Sequence, residues 1–534
     1  MSSTTNLRSR RSAAQLHALA GVEREIGTQD SHNRRKYLRE FNQAFRSYES
    51  LLDSEQIQEA LHSADVILIG DYHSLPAAQL QAASLIEQRA LAGNRPVVLS
   101  VETIFARDQH ILDEWWRRDI DEGELRQRIR FDLDWGYDWT PFHHLLVTAR
   151  DQAEAVYGLD CMPREDLRKI GARDRHAAAK LAEIRERHPN AVIFVLFGES
   201  HLAASHLPRA LREQLPGEKI LTVLQNIDAL YWRAAGERAD KVEGVRVNDD
   251  VLCLFNATPL EKYESYRLFL DQWSRCDDGP DFAPTIYNLI DSLARFLEID
   301  RYSPHNGRQP KFLVDMMPEV YGGSSDAMLR RLLSRKGIAD QEREAMLARV
   351  GERGSAYLPQ VNAFCVSEFQ MIHAAEDAAR FLHHACQGLP QRLNGHSEGT
   401  AVNANGNRSR KTAIDDFYAR VIEHAVAYFG SRVLCPSRPA PDDASPLSRA
   451  AVEKAAQTAI RAVSSKCESA AQDLGYRIGC QVYDAYLAGK VAPSGVRRLF
   501  LAHLNEPGLA RKVCTTVIAK LRAVSRPLAR AAHA

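Results

Sequence analysis

The chain has 534 residues, of which 45% are hydrophobic, 26% charged and 8% aromatic. This ordinary composition excludes a wholly disordered chain, a collagen-like repeat and a small disulfide-stapled scaffold, and the length predicts at least two domains. Lys and Arg number 69, as do Asp and Glu, so a formal net charge of zero provides no overall field that would attract nucleic acid or an anionic membrane.

The cysteines and the N-terminal residues indicate the compartment. The nine cysteines are widely spaced and form no CxxC pair, which favours reduced thiols in a reducing compartment. The first residues include Arg8, Arg10 and Arg11, but the apolar stretch of a secretory signal does not follow them. The apolar runs fall well short of the ~20 residues that a membrane-spanning helix needs. We therefore expect a soluble, cytoplasmic protein with no membrane span.

The first half of the chain has the pattern of an α/β domain. Residues 1–60 predict a helical lead-in. From residue 64 onward, short apolar runs alternate with helical patterns, and these predict strands at 64–70, 96–102, 155–160, 191–198, 220–226 and 250–256. Buried strands that alternate with helices predict a mostly parallel sheet with flanking helices over residues 61–258.

The second half predicts helices. The strand signals stop at residue 259, and residues 259–393 predict a helical region with loops at 301–311 and 351–360. Residues 394–411 are polar and rich in Gly and Asn, which predicts a flexible linker. Residues 412–534 predict a second helical region, which is basic and has few aromatic side chains for stacking bases, so we expect no nucleic-acid partner.

Three of the predicted strands end in residues that can bind a metal or transfer a proton. GDYH follows the first strand at residues 70–73, GESH follows the fourth at residues 198–201, and Glu102 closes the second. Ligands of such sheets bind at the carboxyl ends of the strands. We therefore predict that His73, Glu102 and His201 converge in one cleft, where two imidazoles and a carboxylate could hold a divalent metal.

The acids inside the two motifs have several possible roles. Asp71 and Glu199 could bind a ligand, orient a histidine or act as a general base. Arg173, in the helical pattern GARDRHAAAK, either faces the same cleft or is a solvated helix charge.

Taken together, these motifs resemble a known family. GDYH, VETIF, GLDCMPRED, the pair Arg173 and Asp174, and GESH occur in an order similar to that of the ChaN-like haem-binding uptake family. That family belongs to the Tiki superfamily, which has two GxxH motifs, a Glu between them and an Arg ahead of the second. Here these positions are His73, Glu102, Arg173 and His201. The stretches GLDCMPRE (158–165) and WGYDWTP (135–141) carry the ChaN-type part of the resemblance.

The resemblance implies a protein that binds haem or a divalent metal ion at the strand ends, in iron or haem handling. Its partner would be haem or another small molecule, and homo-oligomerisation stays open. The candidate metal ligands are His73, Glu102 and His201. The candidate cofactor-binding residues are Asp71, Tyr72, Tyr137 and Glu199, but no haem ligand is carried over from the family, since Trp139 stands where the family tends to have a Tyr. The superfamily also implies an alternative, a metal-dependent peptidase or esterase in which His73, Glu102, Arg173 and His201 are catalytic. A third alternative is a scaffold whose α/β domain is degenerate.

Two further groups of polar residues have less specific patterns. His143 and His144 are adjacent, so at most one of them could face the cleft if they lie on a helix. A second group has helical spacing and would share one helix face: His373, Glu376, Asp377, Arg380 and His384. This face could form a metal site with Glu423 and His424, but we expect a solvated polar face.

Overall fold

The computed structural model describes most of the chain. The described residues are 2–30, 36–161, 170–238, 242–275, 279–300, 313–323, 326–387, 413–443, 445, 447–461 and 464–525. The predicted linker at 394–411 and the MPRE part of GLDCMPRE lie outside them. The chain forms two compact units, an α/β unit at Val22–Ser274 and a helical unit that combines Met1–Gly21 with Arg275–Ala534.

The α/β unit contains an eight-stranded sheet. Its strands are β1 (Ser50–Leu52), β2 (Val66–Asp71), β3 (Val97–Phe105), β4 (Ala155–Asp160), β5 (Val192–Gly198), β6 (Ile220–Gln225), β7 (Gly244–Asn248) and β8 (Val251–Leu254). The order across the sheet is β1-β7-β8-β6-β2-β5-β3-β4, and every neighbouring pair from β8 to β4 is parallel. Strand β7 is antiparallel to both β1 and β8.

The helices of this part of the chain connect the strands. They are α1 (Ser2–Gln29), α2 (Lys36–Ala44), α3 (Ser54–Ser63), α4 (Pro76–Leu91), α5 (Gln109–Trp116), α6 (Glu122–Arg128), α7 (Phe131–Asp134), α8 (Trp139–Gln152), α9 (Ile170–Arg187), α10 (Leu207–Gln214), α11 (Asp228–Arg238) and α12 (Pro259–Arg275). Short 3₁₀ helices lie at Ala106–Asp108 and Glu199–Leu202. The boundary between the two units falls inside α1.

Alternation along the strands builds a core on each face of the sheet. In β2, Ile67 and Ile69 belong to one apolar cluster, which includes side chains of α4 and α8. Val66 and Leu68 belong to the other, which includes side chains of α2, α9 and α10. Successive side chains of a strand point to opposite faces, so a continuous apolar run serves both cores. This confirms the predicted α/β fold with a mostly parallel sheet.

All six predicted strands form, with two differences in detail. Strands β1 and β7 were not predicted, because they are short and half-exposed and carry no continuous apolar run. Strand β3 continues past Glu102 to Phe105, with a register shift after Val101. Its pairing with β5 ends at Val101, so Glu102 follows the last regular pair.

The helical unit contains nine further helices among its described residues. They are α13 (Ala283–Phe296), α14 (Asp326–Arg335), α15 (Asp340–Arg353), α16 (Met371–Gln387), α17 (Ala413–Leu434), α18 (Arg449–Ala459), α19 (Ser464–Leu487), α20 (Pro493–Phe500) and α21 (Leu509–Ser525), and a 3₁₀ helix lies at Leu313–Met316. Helix α19 approaches α17 closely at Gly475, where a Cβ atom would meet the Cβ of His424. The prediction of a mainly helical C-terminal half is confirmed.

A small sheet in the helical unit corrects one expectation. Strands β9 (Glu319–Gly322), β10 (Ser355–Leu358) and β11 (Ala363–Val366) form a three-stranded sheet in the order β10-β11-β9. The loop predicted at 351–360 is therefore wrong in part, because β10 pairs with β11 in that segment. Both strands are fully buried but only four residues long, too short for the alternation that identifies a strand. Within the described ranges, no helix combines the length and apolar character that crossing a membrane requires.

Candidate functional site at the carboxyl edge of the sheet

The two GxxH motifs and Glu102 meet at the carboxyl edge of the central strands. The His73 Nε2 atom lies 3.7 Å from Glu102 Oε2, and the His201 Nε2 atom lies 3.9 Å from Glu102 Oε1. The side chains of Glu102 and His201 are buried, whereas that of His73 is 19% exposed. The convergence expected from the strand ends is therefore present, with His73 on the more open side.

Glycine at position 198 is needed for room around Glu102. The Gly198 N–H donates to Glu102 Oε2 at 2.5 Å. A Cβ atom on residue 198 would lie 3.0 Å from that oxygen and 3.3 Å from His73 Nε2. Because its φ is −49°, ordinary backbone for any residue, the glycine serves this close approach rather than an unusual turn.

Each imidazole is held by a carboxylate through its Nδ1 atom. His73 Nδ1 lies 2.7 Å from Asp71 Oδ2, and Gln79 donates to the other oxygen of Asp71. His201 Nδ1 lies 2.6 Å from Asp174 Oδ1. A carboxylate in this position makes Nδ1 the protonated nitrogen and turns Nε2 toward the cleft.

Arg173 is part of the site and is not a solvated helix charge. It donates from Nε and Nη2 to both oxygens of Asp160, at 2.8 and 2.9 Å, and also to Glu102. Its side chain is 11% exposed, and that of Asp160 is fully buried. Burial alone would lower the pKa of the guanidinium, but Glu102 and Asp160 outweigh it and raise the pKa. Arg173 also lies 3.5 Å from His201 Nε2 through Nη1.

The carboxyl of Glu199 is bound by a lysine that the sequence pattern did not indicate. Lys262 of α12 binds both of its oxygens, at 2.9 and 3.0 Å. Burial would lower the pKa of the Lys262 ammonium, but the charges of Glu199 and Asp228 raise it. Burial raises the pKa of the Glu199 carboxyl, although Lys262 acts in the opposite direction. Because Lys262 binds both oxygens of Glu199, this carboxyl is poorly placed to act as a base.

The two candidate tyrosines lie in different surroundings. Tyr72 faces α12, where the Lys262 ammonium lies 4.7 Å from the centre of its ring. The pKa of the Tyr72 hydroxyl is raised well above its ordinary value, mainly because the side chain is buried. The ring of Tyr137 lies 5.3 Å from that of His73 and stacks on Phe269 at 4.3 Å.

An aromatic wall, made of Trp135, Tyr137, Phe269 and Trp273, borders His73. The ring of Trp135 lies 5.0 Å from that of His73, edge to face. Phe269 lies 5.9 Å from Trp273, which is 58% exposed. Two of these four residues belong to α12, which follows the motifs in the chain and carries no recognisable motif of its own.

The other histidine pair lies away from these contacts. His143 stacks on Trp139 at 5.7 Å and approaches Glu122 at 3.2 Å, while His144 is exposed. Burial lowers the pKa of His143. One packed and one exposed histidine are what adjacent positions on a helix give.

The polar face of α16 in the helical unit is buried, so the expectation of a solvated face is wrong. Glu376 is fully buried and forms ion pairs with Arg353, Arg380 and Arg438 at 2.8–3.1 Å. Burial would raise the pKa of Glu376, but the three arginines hold it well below its usual value. Spacing alone does not distinguish an outward polar face from one that faces charges on other elements.

The remaining members of this face bind neighbouring side chains. Arg380 also contacts Asp377 at 3.2 Å and His424 Nδ1 at 2.8 Å. His384 lies 3.5 Å from Glu423. Within the described part of the chain, in either unit, no three His, Cys, Asp or Glu side chains are arranged to hold a metal ion.

The α/β unit is thus defined by a parallel sheet whose strand ends bring two GxxH histidines, a glutamate and an arginine together. Residues 57–201 match the family model described as haem-binding uptake, Tiki superfamily, ChaN. The family resemblance is therefore confirmed for this segment, which is a minor part of the chain.

Comparison with individual proteins adds one structure. A solved structure described as cofacial heme binding to ChaN of Campylobacter jejuni is similar to part of this chain, with 15% sequence identity and a TM-score of 0.26. The similarity covers 33% of this chain and 86% of that chain. No curated protein sequence matches the chain.

Proposed function

We propose that the α/β unit binds haem at the carboxyl edge of its sheet, with His73 as the residue that would hold the iron. The observation that carries this proposal is the match of residues 57–201 to a haem-binding family model. His73 supports it, because Asp71 backs its Nδ1 in the way that carboxylates back metal-ligating imidazoles. Iron in haem, once bound, would supply ligand-exchange or electron-transfer chemistry.

The surroundings of His73 fit a large planar ligand. The aromatic wall offers ring faces and edges beside a partly exposed imidazole, and flat π-systems pack well against such side chains. A bare divalent ion fits less well. Glu102 already accepts hydrogen bonds from Arg173 and from the Gly198 N–H, and the described residues offer no set of three metal ligands.

Haem titration of the full chain tests the proposal. We expect a Soret band to develop on haem addition, together with quenching of tryptophan fluorescence, because Trp135 lies beside His73. His73→Ala should weaken haem binding at least about tenfold, equivalent to about 1.4 kcal/mol. The matched control is His144→Ala, an exposed histidine of the same unit.

The outcomes separate the candidate ligands. Tyr137→Phe should keep the Soret maximum of the parent if His73 holds the iron. A Soret maximum that changes in the Tyr137 variant and not in the His73 variant would assign the iron to the tyrosine. No Soret band with the parent protein would overturn haem binding altogether.

Hydrolysis of an ester or amide is a second candidate, favoured by the pair of carboxylate-backed imidazoles around Glu102. An imidazole oriented by a carboxylate can accept a proton from an attacking water, and Arg173 would supply positive charge beside the reaction. In this form of the candidate, the imidazoles activate the water directly and no metal takes part. Turnover of a simple ester that resists chelators and disappears in His201→Ala would support it. Absence of both haem binding and turnover would leave the scaffold alternative.

A further inference from the structure

Helix α2 precedes the segment that matches the family model, yet its first turn reaches the site. Its apolar side is anchored by Phe41, which is 1% exposed and belongs to the core cluster on one face of the sheet. Phe45, just past its end, is 4% exposed and joins the same cluster. This anchoring fixes the position of the polar side chains at the start of the helix.

Tyr37, on the first turn of α2, closes the chain of contacts behind His201. Its hydroxyl donates to Asp174 Oδ2, while Asp174 Oδ1 faces His201 Nδ1 at 2.6 Å. The Tyr37 ring lies edge-on to the His201 ring at 5.5 Å. Both oxygens of Asp174 are therefore engaged, one by α2 and one by the histidine of the second GxxH motif.

A second histidine fixes the ring of Tyr37. His206 stacks on it at 3.5 Å with an angle of 8° between the rings. His206 is itself held by the Ser200 carbonyl at 3.0 Å and by Glu40 at 3.2 Å. The tyrosine is thus held on its face by stacking and at its hydroxyl by Asp174.

We propose that Tyr37 is a positioning residue for His201. A carboxylate with one free oxygen can rotate. It can then present either oxygen to the neighbouring imidazole, or bind water instead of the imidazole. The Tyr37 hydroxyl removes that freedom, so Asp174 holds the Nδ1–H of His201 and directs Nε2 toward Glu102 and Arg173. Burial and then the charge of Asp174 raise the pKa of Tyr37 above its ordinary value, so the phenol stays protonated and remains a donor.

Proton NMR of the full chain tests this role without haem or substrate. A buried imidazole N–H bonded to a carboxylate gives a resonance far downfield of the amides, and its absence in His201→Gln assigns it to His201. In Tyr37→Phe, which removes only the hydroxyl, we expect this resonance to lose intensity through faster exchange with water. Arg39→Gln is the matched control, because Arg39 is exposed on the same turn of α2 and its replacement leaves the Tyr37 hydroxyl in place.

The outcomes are unambiguous for Tyr37. An unchanged resonance in Tyr37→Phe would overturn the proposal, as would an equal loss in Arg39→Gln, which would assign the effect to the docking of α2. Hydrogen exchange of the α2 amides checks that the helix remains docked in both variants. For the ligand, the consequence rests on the proposed function: haem binding should be kept in Tyr37→Phe, while any hydrolysis should lose kcat and keep KM. Failure of haem binding in the parent would leave the NMR result intact.

Discussion

Replacing Arg173 with Met is expected to lower the free energy of unfolding of the α/β unit by about 3–5 kcal/mol, because it leaves two buried carboxylates without their counter-charge. Asp160 and Glu102 have side-chain exposures of 0% and 3%, and both are bound by this one guanidinium. Methionine fills a similar volume, so the effect comes from charge and not from a cavity.

Tryptophan fluorescence during denaturant unfolding measures this effect in the full chain. All six tryptophans, at positions 115, 116, 135, 139, 232 and 273, belong to the α/β unit, so the signal reports on that unit alone. Arg175→Met is the matched control, because Arg175 lies on the same helix and is exposed. Adding Asp160→Asn to the Arg173 variant should recover part of the loss. Equal midpoints for the Arg173 and Arg175 variants would refute the structural importance of the ion pairs.

The sheet could be predicted because its strands are buried on both faces. A run such as VILIG at 66–70 has no polar residue to interrupt it, and a run of that length between helical patterns is typical of a parallel strand. Strand β7 lies near the edge, pairs antiparallel and contains the half-buried Arg246, so its sequence resembles a loop. The central strands could be predicted because burial on both faces makes their sequences continuously apolar, and not because of strand propensity.

From the strand pattern alone, the site could be predicted only in the residues that follow a strand, whereas Arg173 and its neighbour Asp174 entered through the family resemblance. His73, Glu102 and His201 were found because the sheet places all carboxyl ends at one edge. Asp174, Tyr37 and Lys262 come from helices whose approach to that edge depends on tertiary packing. Nothing in the spacing of these three residues indicates the approach. Asp160 is the exception, since it ends the predicted strand at 155–160 and the same rule could have identified it.

The same limit applies to α16 in the helical unit. Periodicity placed Glu376, Asp377 and Arg380 on one face, and the structure confirms that they contact one another. The neighbours of that face, Arg353 and Arg438, come from other parts of the chain. A charged face is therefore compatible with the interior wherever other elements bring opposite charges, as Arg353 and Arg438 do here for Glu376.

Lowering the pH should destabilise the helical unit through protonation of His383. This histidine lies on α16 next to His384, a member of the polar face. His383 is 1% exposed and its Nδ1 lies 3.1 Å from the Phe500 carbonyl. Burial, with the nearby His384, lowers its pKa to about 4 from an ordinary value of 6.5. Between these two values the unfolded chain binds a proton that the folded protein excludes, so stability is complete above about pH 6.5 and falls as the pH drops toward 4. At about 1.4 kcal/mol for each unit of pKa, the loss approaches about 3 kcal/mol.

His383→Gln isolates this contribution, because glutamine can still donate to the Phe500 carbonyl but does not titrate. Comparing parent and variant by far-UV circular dichroism in denaturant cancels the carboxylates that titrate in both proteins. We expect the variant to be the less stable protein at pH 7.5, since it loses ring packing, and to gain relative to the parent as the pH falls to 4.5. His62→Gln, an exposed histidine of the other unit, should show no such trend. A difference between parent and His383→Gln that stays constant from pH 7.5 to 4.5 would mean that His383 is protonated as readily in the folded protein as in the unfolded chain, and that the buried face of α16 accommodates its charge.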